Sequence, residues 1–400
     1  MVSRKNQYID DFYNRYFALP ARRFDPIEIL RSKQAWNAIL RYYNDYFTDE
    51  PPSFIDYFYN WRFITFPIFQ MMMHEPLLAS TYHCLSTGYA GLAGVVAKMR
   101  TGKPMVLTEH GIYAHERDIE ISQADWVYNT DNDLRAKVGK SVFKKWWSDS
   151  FSGMAKLAYQ RSNAITTLHS RNILIQKRYG ADVNKVEIIP NGIDVDSYIP
   201  PEKPKDENQT VVGLVGRVVP IKDIKNFVKS ILRVSQKVPN LKVLICGPTT
   251  EDEDYYKECL ALSKMLNLDH IIEFVGKINV KEFLPKMDLL VLSSISEGQP
   301  VVILEGYCYS VPALCTDVGA CQDLVFGQGR EDKVMGASGD IVPFGDSAKL
   351  GEAMTNLLIN KERLKKMGET GYKRVKQFYR EDQMINKYLN IYNRFLADKL

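Results

Sequence analysis

Two carboxylates in the stretch SISEGQPVVILEGYCYS, Glu297 and Glu305, stand eight positions apart in different settings. Glu297 lies in the loop that follows the apolar run LLVLSS, whereas Glu305 falls inside VVILEGYCY, a run that reads as buried. A carboxylate in an apolar setting costs free energy unless a partner answers it. Carboxylates accept hydrogen bonds from vicinal hydroxyls, so two at this separation suit a ligand with two polyol parts, such as a sugar joined through phosphates to a ribose. Pro300 fits the first position of a helix. The backbone N–H groups around Gly298, Gln299 and Val301 are then free to donate to a ligand, with Glu305 about a turn and a half further on. The structural alternatives are a cap or surface carboxylate at Glu297 and an internal salt bridge at Glu305.

A second group is cationic. In VGLVGRVVPIKD a strand ends at Gly216, Arg217 follows at once, and Lys222 stands five residues on, at the start of a helix. Ligands bind at strand carboxyl ends in open α/β sheets, and helix N-termini favour anions. Arg217 offers a fork for phosphate oxygens and Lys222 a mobile point charge; a solvated Arg and Lys in a strand–helix loop is the alternative. In the amino-terminal half, His110 closes VLTEHG at another strand end. It could act through its ring or its backbone carbonyl, or be a structural histidine bonded to a turn. Glu109 beside it and His83 in STYHCLSTG are further candidates.

The elements that must hold these residues are legible in outline. From about residue 210, TVVGLVGRV, LKVLICGP, IIEFVGKI, LLVLSS, VPALCTD and GDIVPF read as strands, most of them separated by amphipathic stretches such as DIKNFVKSILRVSQKV and DEDYYKECLALSKMLNL. That alternation predicts parallel strands with crossover helices in a doubly wound sheet. Earlier, PLLASTYH, PMVLTEHG, NAITTLH and KVEIIPNG predict a second α/β domain, and residues 1–75 are aromatic-rich and helical in character. The expected division is a first domain over 1–194, an aperiodic linker over 195–209, a second domain over 210–380, and a final helix over 381–400 that could dock on either. Ile385, Tyr388, Leu389, Tyr392, Phe395 and Leu396 form the expected apolar face of that helix.

Composition narrows the function classes. A chain of 400 residues exceeds what one core usually holds. The net charge of +4 is small for this length and speaks against a nucleic-acid binder. Six cysteines show no C-x-x-C pairing and several sit in apolar runs, as buried free thiols would. No apolar core of signal-peptide type opens the chain. The strongest membrane candidate, FITFPIFQMMMHEPLLA, is interrupted by Pro67, His74 and Glu75. No transmembrane helix is expected. No metal site is expected either: the acidic triplets at 131–133, 194–196 and 252–254 read as an acidic loop, a hinge motif and a helix start. KSVFKKWWSDSF reads as a helix over the first domain's core, with a membrane-surface role as the alternative.

G-R-x4-K followed by E-x7-E, with IIPNGID ahead of the linker, resembles the family-4 glycosyltransferases of the GT-B class. LSTGYAGLAG, TEHGIYAHERDIEI, SEGQPVVILE and TDVGACQDLV resemble, more narrowly, the PelF proteins of pellicle exopolysaccharide synthesis, and the likeness covers most of residues 50–400. The resemblance implies a GT-B fold, two Rossmann-like α/β domains facing a cleft. It implies retaining, metal-independent transfer of a hexosyl unit from a nucleotide-sugar, UDP-glucose or a related UDP-hexose, to a polysaccharide or other glycan acceptor, with no further cofactor. Arg217 and Lys222, beside Gly216, would hold the diphosphate and Glu305 the ribose hydroxyls. Glu297 would touch the transferred sugar, with the N–H groups of Gly298, Gln299, Pro300's neighbour Val301 and the Gln299 side chain on its hydroxyls. Gly276, Lys277 and Ile278 would pack on the base, and His110 would lie beneath the sugar near the anomeric carbon. The implied setting is the cytoplasm, at the inner face of the plasma membrane where a membrane-bound synthase complex is the partner. Family members open with a strand and a Gly-rich turn, whereas residues 1–49 contain no glycine. A truncated first domain is therefore expected, and a non-catalytic UDP-sugar-binding subunit is the alternative function. A sugar-nucleotide epimerase on the same fold is the more distant one.

Overall fold

The computed structural model describes residues 26–47, 51–73, 75–124, 142–199 and 208–397. The acidic triplet at 131–133, His74 and residues 200–207 of the expected linker lie outside that set. Two compact units emerge. One comprises Met1–Thr167, Asn172–Ile188 and Ile391–Leu400; the other comprises Leu168–Arg171 and Ile189–Asn390.

The first unit holds a parallel sheet of β1 (Tyr82–Cys84), β2 (Met105–Glu109), β3 (Ala164–Thr167) and β4 (Val186–Ile188), in that spatial order. Among the described residues β1 pairs with β2 alone. The helices Gly88–Thr101 and Val142–Arg161 close over the sheet, bringing Leu92, Val95, Val96, Met154, Ala155 and Ala158 onto Met105, Leu107 and Ile165. KSVFKKWWSDSF enters the second of these helices, and its aromatic residues face inward. Phe143 is buried, Trp146 stacks edge-on to Tyr57, and Trp147 donates to Asn60 Oδ1 at 2.9 Å. Tyr57, fully buried, donates its hydroxyl to the Ile39 carbonyl at 2.9 Å, tying the aromatic helices Lys33–Tyr46 and Phe54–Met73 together.

The second unit is a six-stranded parallel sheet of β5 (Thr210–Val215), β6 (Leu241–Cys246), β7 (Ile272–Gly276), β8 (Leu289–Leu292), β9 (Ala313–Thr316) and β10 (Gly339–Val342), in the spatial order β10-β9-β8-β5-β6-β7. Strand residues alternate between two cores, as the two-residue period requires. Val212, Leu214, Val243, Ile245, Leu289, Val291 and Leu314 face one, while Val211, Leu244, Cys246, Leu290, Leu292, Ala313 and Cys315 face the other. The helix Ile224–Ser235 buries Ile224, Phe227, Val228, Ile231 and Val234, a stripe at helical spacing that seats it on the first core. All six cysteines are free and buried.

Two boundaries differ from those expected. The chain joins the second unit at Ile189 rather than after 194, because Ile193 exchanges backbone bonds with Tyr379 and Glu381 (2.9 and 3.0 Å) and is buried with Val195 in the second core. In the final helix, Glu381–Ala397, Ile385, Leu389 and Leu396 are exposed, while Ile391 is fully buried and Tyr392 bonds to His83. The inward face is rotated from the one expected, because apolar residues occupy more than one side of this helix and spacing alone does not choose between them.

A buried ion pair ties the second unit's carboxyl-terminal region together. Arg374, with no exposure, donates to Asp332 Oδ1 at 2.6 Å, to the Val325 and Gly336 carbonyls at 2.8 and 2.7 Å, and to Ser338 Oγ at 2.7 Å. Arg374→Met leaves Asp332 charged and unpaired in the core, and should destabilise the second unit by about 3–5 kcal/mol. Arg374→Met combined with Asp332→Leu should recover much of that loss, as read from urea unfolding followed by circular dichroism.

Candidate functional site

In the second unit, β5 and β8 are neighbours although three crossovers separate them in sequence, so the strand order reverses between them. Chains leaving such adjacent strands diverge and open a crevice at the carboxyl ends, where open α/β sheets bind ligands. The loops after these two strands carry the Arg217–Lys222 and Glu297–Glu305 groups. The backbone is drawn in tightly there: Gly247, at φ 153°, lies so close to the Gly216 carbonyl that an added Cβ would sit 1.9 Å from its oxygen. Gly319, at φ 50°, approaches Glu297 in the same way, with the Glu297 carbonyl oxygen 2.2 Å from where a Cβ would stand.

Lys222 and Glu297 meet directly. Lys222 Nζ donates to Glu297 Oε1 at 2.5 Å, and Ser294 Oγ donates to the same oxygen at 2.6 Å. Both charged side chains are mostly withdrawn from solvent, 19% and 13% exposed. The loops are also stitched through the backbone: Ser293 Oγ donates to the Lys222 carbonyl at 2.7 Å and Ile295 N–H to the Ile221 carbonyl at 2.9 Å. Arg217 lies outside this cluster, 56% exposed and paired with Glu251 at 2.8 Å. An exposed pair of this kind contributes little, so Arg217 can exchange Glu251 for a ligand anion at small cost.

The helix Val301–Cys308 begins one residue later than expected, with Pro300 in the capping position. The first N–H groups of a helix have no carbonyl a turn earlier to bond; here the Ile303 N–H already donates to the Pro300 carbonyl at 3.2 Å. Gln299 is buried, and both ends of its amide engage Asn191: the side-chain oxygen accepts from the Asn191 N–H at 2.7 Å and the nitrogen donates to its carbonyl at 3.3 Å. Its side chain locks the PNG segment, which leaves the backbone as its route to a ligand. At β7's end, Gly276 accepts from the Gly247 N–H at 2.7 Å, Lys277 is exposed and Ile278 packs on the second core.

Glu305 is half-buried, and its partner is a tyrosine rather than the cation an internal salt bridge would supply. Tyr198 donates its hydroxyl to Glu305 Oε1 at 3.0 Å. Burial holds the Glu305 carboxyl above the usual carboxylate range, while the Tyr198 hydrogen bond and the charge of Lys281 act the other way. Lys281 lies 4.8 Å from the centre of the Tyr198 ring and donates to the Ser197 carbonyl and hydroxyl at 3.0 and 3.1 Å. Tyr198 and Lys281 were not singled out from sequence, because Tyr198 lies where the pattern breaks into PNGIDVDSYIPPEK and no periodicity marks it. The neighbouring Asp196 is paired with Arg380 at 2.7 Å, and Asp252 caps a helix through the Tyr255 N–H at 2.9 Å.

In the first unit, His110 is exposed just past the end of β2. Glu109 beneath it is fully buried and takes hydrogen bonds from Thr87 Oγ1 at 3.0 Å, Gln176 Nε2 at 3.1 Å, the Tyr113 N–H at 3.4 Å and the Tyr159 hydroxyl. Burial raises its pKa, against the pull of those donors. His83 is held at both nitrogens, by Tyr392 at 2.6 Å and Thr108 at 2.8 Å, and burial lowers its pKa. Glu109 and His83 therefore brace the end of β2, and His110 is the candidate left open to solvent.

Residues 197–374 match the model of the glycosyl transferases group 1, and residues 3–184 match a domain of unknown function, DUF3492. Residues 197–374, the bulk of the second unit, are thus similar to a group 1 glycosyltransferase domain. The chain is 21% identical over 350 residues to an alpha-maltose-1-phosphate synthase of Mycolicibacterium smegmatis, covering 82% of each protein. It is 26% identical over 241 residues to the capsular polysaccharide biosynthesis glycosyltransferase CapM of Staphylococcus aureus, covering 60% of this chain and 57% of that one. For several such relatives the chain spans less than two thirds of their length. Among solved structures, Anabaena HepE in complex with UDP superposes with a TM-score of 0.61 at 14% identity, over 84% of this chain and 82% of that one; the same protein has also been solved with UDP-glucose. The fold is GT-B, with a parallel sheet in each of its two Rossmann-like units.

The first unit offers a direct test of its buried carboxylate. The folded state holds the Glu109 proton more tightly than the unfolded chain does. The stability this confers is full at acid pH and declines as pH rises through the raised pKa. All five tryptophans fall in the first unit, so their fluorescence reports its unfolding. Urea midpoints of Glu109→Gln should lack that decline, and the gap between wild type and variant should narrow with rising pH.

Proposed function

We propose that the chain is a PelF-type retaining hexosyltransferase that takes a sugar from UDP-glucose or a related UDP-hexose and adds it to a growing exopolysaccharide, without a metal ion. The observation that carries this reading is the Lys222–Glu297 pair at the reversal point of the second sheet, with Glu305 in the helix that follows Glu297. A nucleotide-sugar has its parts in that order: a sugar, a diphosphate and a ribose. HepE, bound to UDP and to UDP-glucose in its solved complexes, and CapM, a capsular polysaccharide glycosyltransferase, support the donor and the product class.

In this reading Arg217 and Lys222 receive the diphosphate at the loop after Gly216, and Glu305 accepts from the ribose hydroxyls. Glu297 and the N–H groups from Gly298 to Val301 address the sugar, and the Gly276–Lys277–Ile278 segment flanks the base. The bond from the anomeric carbon to the phosphate oxygen breaks with its electron pair leaving on UDP. Positive charge from Lys222 and Arg217 stabilises that charge as it develops. The acceptor hydroxyl forms the new bond on the same face, and its proton passes to the departing phosphate oxygen. His110 keeps the role that the family resemblance gives it, toward the transferred sugar. Among the described residues no helix is long and apolar enough to cross a membrane, and the proposed setting is the cytoplasmic face of the plasma membrane with a membrane-bound synthase as partner.

The test is UDP release by the purified chain across a panel of UDP-sugars, alongside calorimetric binding of each. One sugar should support release. Arg217→Ala and Glu305→Ala should each weaken donor binding by roughly tenfold to a hundredfold, the scale of a lost hydrogen bond to a charged group. Unchanged affinity in both variants overturns the assignment. Binding without transfer, with acceptor supplied, identifies a UDP-sugar-binding subunit instead.

A further inference from the structure

Glu305 presents a problem that its own helix does not solve. It lies between the buried residues Leu304 and Gly306, and burial favours its protonated form. A protonated carboxyl has a donor where the ribose hydroxyls need an acceptor. The groups around it determine which form prevails. From the segment before β5 comes Tyr198, donating to Oε1 at 3.0 Å; from the helix Val280–Phe283 comes Lys281. On its own helix and just past it are Cys308 and Tyr309. The Cys308 thiol is pushed up to about 12 by burial, and Tyr309 is raised, so both are neutral near physiological pH. Asp194 acts on Cys308 as the remaining acidic neighbour. Tyr198 and Lys281 are the groups here that favour the carboxylate.

Tyr198 is also fixed in place independently of Glu305. Val195 is buried in the second core, and Asp196 is paired with Arg380 at 2.7 Å. The Tyr198 ring meets Tyr309 edge-on at 5.7 Å, and Lys281 sits over that ring while donating to Ser197 on both its carbonyl and its hydroxyl. The hydroxyl thus reaches Glu305 from a braced ring, and a carboxylate held through one oxygen presents the other in a set direction.

We propose that Tyr198, backed by Lys281, is a positioning residue for the nucleotide: it holds Glu305 through Oε1, keeps it an acceptor and aims its second oxygen at the ribose hydroxyls. The proposal rests on the reading of Glu305 as the ribose contact. It makes the stretch between the two sheets part of the donor site, although that stretch has the look of a connector.

The test is calorimetric binding of UDP-glucose, whose diphosphate diester keeps its charge throughout, from acid to alkaline pH. Wild type is compared with Tyr198→Phe, Lys281→Met and Glu305→Gln, with thermal midpoints recorded for each. Tyr198→Phe keeps the ring and should bind about threefold to tenfold more weakly near neutral pH. Its affinity should also fail at a higher pH on the acid side than wild type, because the bond that favoured the carboxylate is gone. Lys281→Met should move the acid limb in the same direction. Wild-type affinity and pH profile in Tyr198→Phe, with Glu305→Gln binding weakly, would overturn the positioning role and leave the ribose reading standing. A uniform loss in Tyr198→Phe with the acid limb unmoved would overturn it as well, since packing alone would explain that result. Wild-type binding by Glu305→Gln would instead remove the ribose reading itself, and the proposal with it.

Discussion

The second unit of this protein depends on the adjacency of β5 and β8. Because the sheet reverses its order between them, the chains leaving these strands run to opposite faces and open a gap at their carboxyl ends. The Lys222–Glu297 ion pair spans that gap, with Ser294 supporting the carboxylate and two further bonds joining the loop backbones. A pair this withdrawn from solvent is costly to break by removing one partner. It also places a positive charge and an acceptor side by side, the combination on which the proposed function rests. The interaction that ties the two loops together is thus made of the same atoms that the proposed reading assigns to the ligand.

Close backbone approach makes that geometry available. The carbonyls of Gly216, Glu297 and Gly298 lie within reach of positions where a side chain would collide, at Gly247 and Gly319. The Ala320 N–H fixes the Gly298 carbonyl at 2.8 Å. The loop carrying Glu297 is therefore held from beneath by the turn after β9, and that turn leads into the short helix Cys321–Phe326, whose Val325 carbonyl accepts from the buried Arg374. Support passes from a fully desolvated ion pair, through a short helix, to the loop that carries the candidate chemistry.

Much of this was legible in the sequence. The ten strands among the described residues follow apolar, β-branched runs bounded by Gly, Pro and Asp, and Glu305 could be singled out because an acid in VVILEGYCY needs a reason. Other features were not legible, for identifiable reasons. Tyr198 sits in a stretch without periodicity, where its partner, 107 residues away, leaves no local trace. Gln299 looked available for a ligand because nothing in its surroundings names Asn191 as the group that engages it. The last helix carries apolar residues on several sides, so its inward face is decided by packing and not by spacing. Local pattern locates elements and exceptional residues; pairings between distant segments require the fold.

The two buried acids make the point in chemical terms. Glu109 and Glu305 both sit where burial favours the proton, yet their surroundings differ. Glu109 is enclosed by four donors from Thr87, Tyr113, Tyr159 and Gln176. Its acceptor capacity is taken up within the fold, and its role is to join the end of β2 to the helices around it. Glu305 has Tyr198 on one oxygen and is only half-buried. A carboxylate in a low-dielectric setting with acceptor capacity in reserve gains much from a hydroxyl that arrives with a ligand, because the same hydrogen bond is worth more there than in water. Burial alone does not separate an acid whose acceptor capacity is taken up from one that holds some in reserve; the number of donors already in place does.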